Sequence, residues 1–177
     1  MRILAIDPGS SSGALAWHDG IYMTRSLAST PLELYRQIIG LRDDHLLDTL
    51  IIENVGGSRP GNSAGSGRTF ATHLGHLEMA AELLFPRGTI KVAPITWMRG
   101  LLGEALPHGD ESKADRKNAI HAHVEGRIGK CTKRCADAAG ILLWAMANEP
   151  QIEAAIERGE TSVTKGKTKP TPVTTTA

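Results

Sequence analysis

The chain has 177 residues, with 20 Lys/Arg against 19 Asp/Glu and two cysteines, which is enough for one domain with its own core. Two cysteines four residues apart exclude a disulfide-stapled framework, and no apolar stretch reaches the ~20 residues of a membrane helix. The N-terminus runs straight into a strand pattern instead of a signal peptide, so a reduced, cytoplasmic protein is expected.

The near-zero net charge conceals a segregation. Residues 1–86 carry 6 Lys/Arg and 9 Asp/Glu, residues 87–134 carry 10 and 5, residues 135–157 carry 0 and 4, and residues 158–177 carry 4 and 1. Separated charge of this kind suits a polyanionic partner and a site that concentrates carboxylates.

Residues 2–6 (RILAI) form a short apolar run that Pro8-Gly9 bounds, and they read as a buried strand. The runs 13–18 and 21–27 flank Asp19-Gly20, a two-residue hairpin signal of type I′. Thr30-Pro31 supplies an N-cap with proline at the first helical position, and LELYRQIIGL follows with helical spacing. TLIIE, ending in Glu53, reads as another buried strand. Residues 54–68 are so rich in Gly, Ser, Asn and Pro that a loop of about fifteen residues is expected, and a loop that long in a compact domain is usually functional or disordered.

Helical spacing resumes from Thr69 to about Phe85, followed by a strand at 89–93 and a short helix from Pro94 to Leu102 that contains Trp97. Residues 110–125 are laid out as a surface helix, acidic at its start. Residues 135–147 are apolar nearly all round and should form a helix buried against the sheet. Beyond Arg158 there are no large apolar residues except valines, and a disordered basic tail is expected. The order predicts an α/β domain over residues 1–150, a mixed five-stranded sheet flanked by helices, with a short helical extension and tail over 151–177.

Three carboxylates stand where a structural role is hard to find. Asp7 and Glu53 each end an apolar strand, and Asp137 lies among Ala136, Ala138, Ala139, Ile141 and Leu142. Charges so placed are costly unless paired or bound to a cation. Each has an ordinary reading as well: Asp7 as a turn former, Glu53 as a loop-edge charge, and Asp137 as a partner for Arg134. The turn after Asp7 could instead cradle a phosphate, as in actin-like ATPases. Those enzymes need a second lobe that about 150 foldable residues do not provide, and no Walker-type P-loop is present. A zinc site of Cys131, Cys135, His121 and His123 can be drawn, but the cysteines lie in an expected helix instead of a knuckle. If the first and fourth strands are neighbours and the last helix crosses them, the three carboxylates converge. Hard oxygen ligands of this kind suit Mg²⁺ or Mn²⁺, and two such ions can activate water and steady a leaving oxygen in phosphodiester hydrolysis.

"ILAIDPGSSSGALAW", "LIIENV" and "KRCADAAGILLWA", in that order, resemble the RuvC-like Holliday junction resolvases of the ribonuclease H-like fold. "SRPGNSAGSGRTFATHLGHLEMAAELL" and "VAPITWMRGLLG" followed by "DESKADRKNAI" are similar to the intervening segments of phage and bacterial members. The resemblance spans roughly residues 1–148. It implies a divalent-metal endonuclease that nicks branched DNA in a bacterial cell or a phage-infected host, usually as a homodimer, with Asp7, Glu53 and Asp137 as ligands of two Mg²⁺ or Mn²⁺ ions and Lys113 near the scissile phosphate. The family's fourth ligand is missing. Three positions before Asp137 stands Arg134, and in the shifted register Gly140 occupies the later place. Asp110 or Asp115 could substitute, or the chain could be a non-catalytic module that binds branched DNA. Candidate DNA contacts are Arg59 and Arg68 on the glycine-rich loop, Phe70 as a wedge, Lys113 and Lys117, and the tail lysines 165, 167 and 169.

Overall fold

The computed structural model describes residues 1–9, 13–55, 64–107 and 113–163. Its strands are β1 (Ile3–Asp7), β2 (Ala14–Asp19), β3 (Ile21–Ser26), β4 (Thr49–Glu53), β5 (Thr89–Val92) and β6 (Ser162–Val163). Its helices are α1 (Pro31–His45), α2 (Ala64–Leu84), α3 (Pro94–Leu102), α4 (Lys113–Ile128), α5 (Ala136–Ala147) and α6 (Glu149–Glu157). The sheet order is β3-β2-β1-β4-β5-β6. The β1-β2 and β2-β3 pairs are antiparallel, while β1-β4, β4-β5 and β5-β6 are parallel.

Helices cover both faces of this sheet, so its central strands are continuous apolar runs. Alternation of side chains sorts each strand between two cores. Ile3, Ala5, Ala16, Ile51, Ile90 and Val92 face α3, α4, α5 and α6. Leu4, Ile6, Leu15, Trp17, Leu50 and Ile52 face α1 and α2. On α1, Leu34, Ile38 and Leu41 are buried at helical spacing, and cutting any one of them to alanine would cost about 2–5 kcal/mol. Thr30 caps this helix, with Oγ1 accepting from the Glu33 backbone N–H and donating to Glu33 Oε2 at 2.8 Å, a side-chain N-cap that satisfies one of the helix's open donors.

The structure corrects several expectations. The sheet has six strands, because Ser162 and Val163 lie beside Lys91 and Val92; a two-residue edge strand held by backbone hydrogen bonds leaves no hydrophobic signature. Residues 159–163, in the expected tail, thus belong to the fold. Helix α2 starts at Ala64, within the expected loop. Glycines at 65 and 67 disguise it, since they weaken a helix without forbidding one. Helix α4 runs to Ile128. In the hairpin, Asp19 pairs with Ile21 around Gly20 (φ 74°), so one residue separates the paired positions where a type I′ turn would leave two. Cys131 and Cys135 precede α5 instead of sitting in a helix, and both are free thiols.

Candidate active site

Alternation decides which residues reach the site. Asp7 shares its parity with Ile3 and Ala5, and Glu53 shares its parity with Ile51, so both carboxylates leave the sheet on the α5 face. The β1-β4 register pairs Ile6 with Ile52, and one step further Asp7 stands level with Glu53. Both are the last residues of adjacent parallel strands. In open α/β sheets the carboxyl ends of the strands are where ligands bind.

The third carboxylate arrives on α5. Ala136, Ala138, Ala139 and Gly140 are all buried, and these small side chains let the helix lie close against β1 and β2. Asp137 sits in its first turn, where the helix dipole favours an anion. Its side chain is 18% exposed, and its ion-pair partner is Lys117 on α4, Nζ to Oδ2 3.5 Å. Arg134, the partner that sequence spacing suggested, is exposed in the turn before α5.

The three carboxylates share one electric field. Asp7 is pushed from the ordinary aspartate value of 3.8 up to about 8, first by burial, then by the charges of Glu53 and Asp137 and by a hydrogen bond with Glu53; Lys117 opposes the shift. Asp7 therefore holds a proton near neutral pH, and the cluster is short of positive charge. Glu53 is 8% exposed and accepts a hydrogen bond from Trp97 Nε1 at 3.0 Å on Oε1. Among the described residues no three His, Cys, Asp or Glu side chains stand as a preformed cation cage. The donor set nevertheless fits a hard divalent cation: three carboxylates on one face, one kept protonated by its neighbours and another leaning on a lysine ammonium.

The turn after Asp7 also has a physical reason. Gly13 donates its backbone N–H to Gly9 O at 3.0 Å and accepts from Leu27 N at 2.9 Å. A Cβ on Gly13 would stand 2.6 Å from Gly9 O, so only glycine closes this loop.

Of the other candidate residues, Lys117 meets the cluster, whereas Lys113, one turn earlier on α4, is exposed. Arg68 is exposed and Phe70 half-buried in the first turns of α2. Asp115 is exposed on α4. Arg59, Asp110 and the tail lysines lie outside the described residues. His121 bonds through Nε2 to Cys131 O at 2.8 Å, so that ring nitrogen is engaged with backbone. Gly140 offers no place for a ligand, because a Cβ there would stand 2.9 Å from Trp97 Cζ3 and 3.1 Å from Leu101 Cδ2. Trp97 was visible in the sequence only as an apolar helix residue; a tryptophan three residues into a helix after a strand does not announce a hydrogen bond to another strand's glutamate. A cavity of about 760 Å³ opens away from the carboxylates, between α2, β5 and residues 156–161.

No family model matches the sequence, and no curated protein does. Among solved structures, the fold is similar to Thermus thermophilus RuvC in complex with a Holliday junction substrate, with TM-score 0.61 and 14% identity, covering 85% of this chain and 96% of that one. It is similar also to a second Thermus thermophilus RuvC structure, with TM-score 0.56 and 17% identity over the same shares. At this identity the likeness speaks for the fold: an α/β, ribonuclease H-like mixed sheet flanked by helices, here with six strands.

Proposed function

We propose that the chain is a divalent-metal-dependent endonuclease acting on branched DNA such as four-way junctions. The observation that carries this reading is the shared field of Asp7, Glu53 and Asp137 at the carboxyl ends of β1 and β4, strong enough to hold Asp7 up at about 8. The fold-level likeness to a protein solved with a Holliday junction supports the choice of substrate.

Asp7, Glu53 and Asp137 would hold Mg²⁺ or Mn²⁺, two per site. Bound there, the ions would activate the attacking water and steady the departing oxygen. The side chains supply the rest. Asp7 would give up its proton to a bound cation, whose positive charge would offset the burial and the repulsion from Glu53 and Asp137 that keep it protonated. Lys117 holds Asp137 in place, and with its side chain 53% exposed it can also reach a phosphate. Lys113 and Lys117, spaced by one helical turn, continue the basic edge along α4. Arg68 and Phe70, in the first turns of α2, would follow and pry the DNA; Arg59, outside the described residues, is a further candidate contact.

Symmetric cutting needs two sites, so a homodimer is part of the proposal. The outer face of α2 suits such contact: Met79 is 53% exposed and Leu83 63% exposed, and Gly75, one turn before Met79, has open space around it. Gly140 and Arg134 favour a second reading, a module that binds junctions without cutting, since neither place supplies a fourth carboxylate. Incubating a synthetic four-way junction with Mg²⁺ separates the two. Cutting by the parent that Asp7→Asn abolishes supports the nuclease; tight binding by the parent without cutting supports the binding module.

A further inference from the structure

Helices α3 and α5 dock through a reciprocal exchange of tryptophan and glycine. Trp97 of α3, 1% exposed, lies where a side chain at Gly140 of α5 would be, its Cζ3 standing 2.9 Å from a Cβ built there. Trp144 of α5 lies against Gly100 of α3 in the same way, its Nε1 2.6 Å from a Cβ built there. Each helix thus carries one indole and one gap, three or four residues apart, so the pairs sit on the facing sides of the two helices. Two rigid rings seated in two gaps leave α3 little freedom to slide or roll on α5.

The seated Trp97 turns its indole N–H toward β4, where it donates to Glu53 Oε1. An indole nitrogen only donates, so it can only hold Glu53 as an acceptor and never competes for the site's protons. Asp137 lies one turn before Gly140 on the same α5. One joint therefore ties Glu53, on the sheet, to the helix that carries Asp137.

We propose that Trp97 is a positioning residue for Glu53, and that the absence of a side chain at Gly140 is what admits the indole to that role. The inference rests on the metal-nuclease reading above. The indole ring then fills the place that Gly140 leaves open, the fourth-ligand position of the shifted register, and its N–H is a fixed donor on one of the three carboxylates, Glu53.

The test uses the full chain and three variants: Trp97→Phe removes the N–H and keeps a ring, Gly140→Ala pushes on the indole, and Trp144→Phe alters the joint without touching Glu53. Mn²⁺ affinity is measured by calorimetry, and four-way junction binding and kcat are measured separately. Loss of an outer partner of a metal ligand typically costs 10–100-fold. Trp97→Phe and Gly140→Ala are expected to weaken Mn²⁺ binding by roughly 10-fold or more and lower kcat comparably, with junction Kd unchanged within about twofold, while Trp144→Phe stays within about twofold throughout. Trp97→Phe with parental Mn²⁺ affinity overturns the inference, as does Trp144→Phe with an equal loss, since that would make the effect one of packing alone. Should Trp97→Phe fail to fold, Gly140→Ala against Trp144→Phe decides by the same criteria. A parent that neither takes up Mn²⁺ nor cuts overturns the active-site reading itself and this inference with it.

Discussion

Replacing Asp7 with asparagine should make the protein more stable, and increasingly so as pH rises. In the folded chain Asp7 keeps its proton up to about pH 8 instead of 3.8. Between those values the native state binds more protons than the unfolded one, so stability falls as pH rises, by up to about 1.4 kcal/mol per unit, and levels off above the folded value. The full displacement of roughly 4 units would correspond to about 6 kcal/mol, an upper bound that relaxation and partial solvent access reduce to about 2–4 kcal/mol. Asparagine keeps the shape and a hydrogen bond to Glu53 without the charge. At about 2–4 °C per kcal/mol for a chain of this size, Asp7→Asn should melt roughly 5–15 °C above the parent at pH 8 and close to it near pH 4. Thermal unfolding in EDTA at pH 4, 6 and 8 measures this. A difference that stays constant across the three pH values, or a variant less stable than the parent at pH 8, would refute the argument that burial and the neighbouring carboxylates hold Asp7 protonated.

The same charge balance predicts that Mn²⁺ uptake releases about one proton per site near pH 7, and that affinity climbs with pH before flattening near 8; calorimetry in buffers of different ionisation enthalpy counts the protons. Gly140→Asp should fail as a repair, because its Cβ meets Trp97 and Leu101; a loss of about 1–3 kcal/mol in denaturant unfolding is expected, with no gain in cutting. Lys117→Ala should cost under about 1 kcal/mol, since the lysine is half-exposed, yet slow cutting more than Lys113→Ala does; equal rates for the two variants would remove Lys117 from the site. Arg59→Ala with Arg68→Ala should weaken junction binding and flatten its dependence on salt, and unchanged binding at two salt concentrations would count against that contact.

How much of this was legible in the sequence depends on which force set each feature. Burial patterns are written in residue type, so ILAI, TLIIE and the Ala-rich CADAAG helix were readable as core. The parity of Asp7 with Ile3 and Ala5, and of Glu53 with Ile51, follows from the period of a strand, but both faces of these strands are apolar, so residue type alone does not say that the two carboxylates share a face. The register that sets them level, and the crossing of α5 that adds Asp137, come from packing over long sequence separations. Features held by backbone alone were invisible: β6 has two residues and no apolar pattern, and the start of α2 is hidden among glycines.

The fourth-ligand question shows a different limit. Read along the chain in the shifted register, Gly140 is a deletion, a place where a carboxylate is absent. In three dimensions it is a gap with an occupant, and the occupant is an indole whose N–H reaches Glu53 at the end of β4. No spacing rule pairs residues 97 and 140, because the two meet only when α3 and α5 lie across the same sheet. A missing side chain in an acidic site therefore needs its neighbours examined before it is counted as a loss. Here the gap at Gly140 and the donor on Glu53 are two ends of one ring.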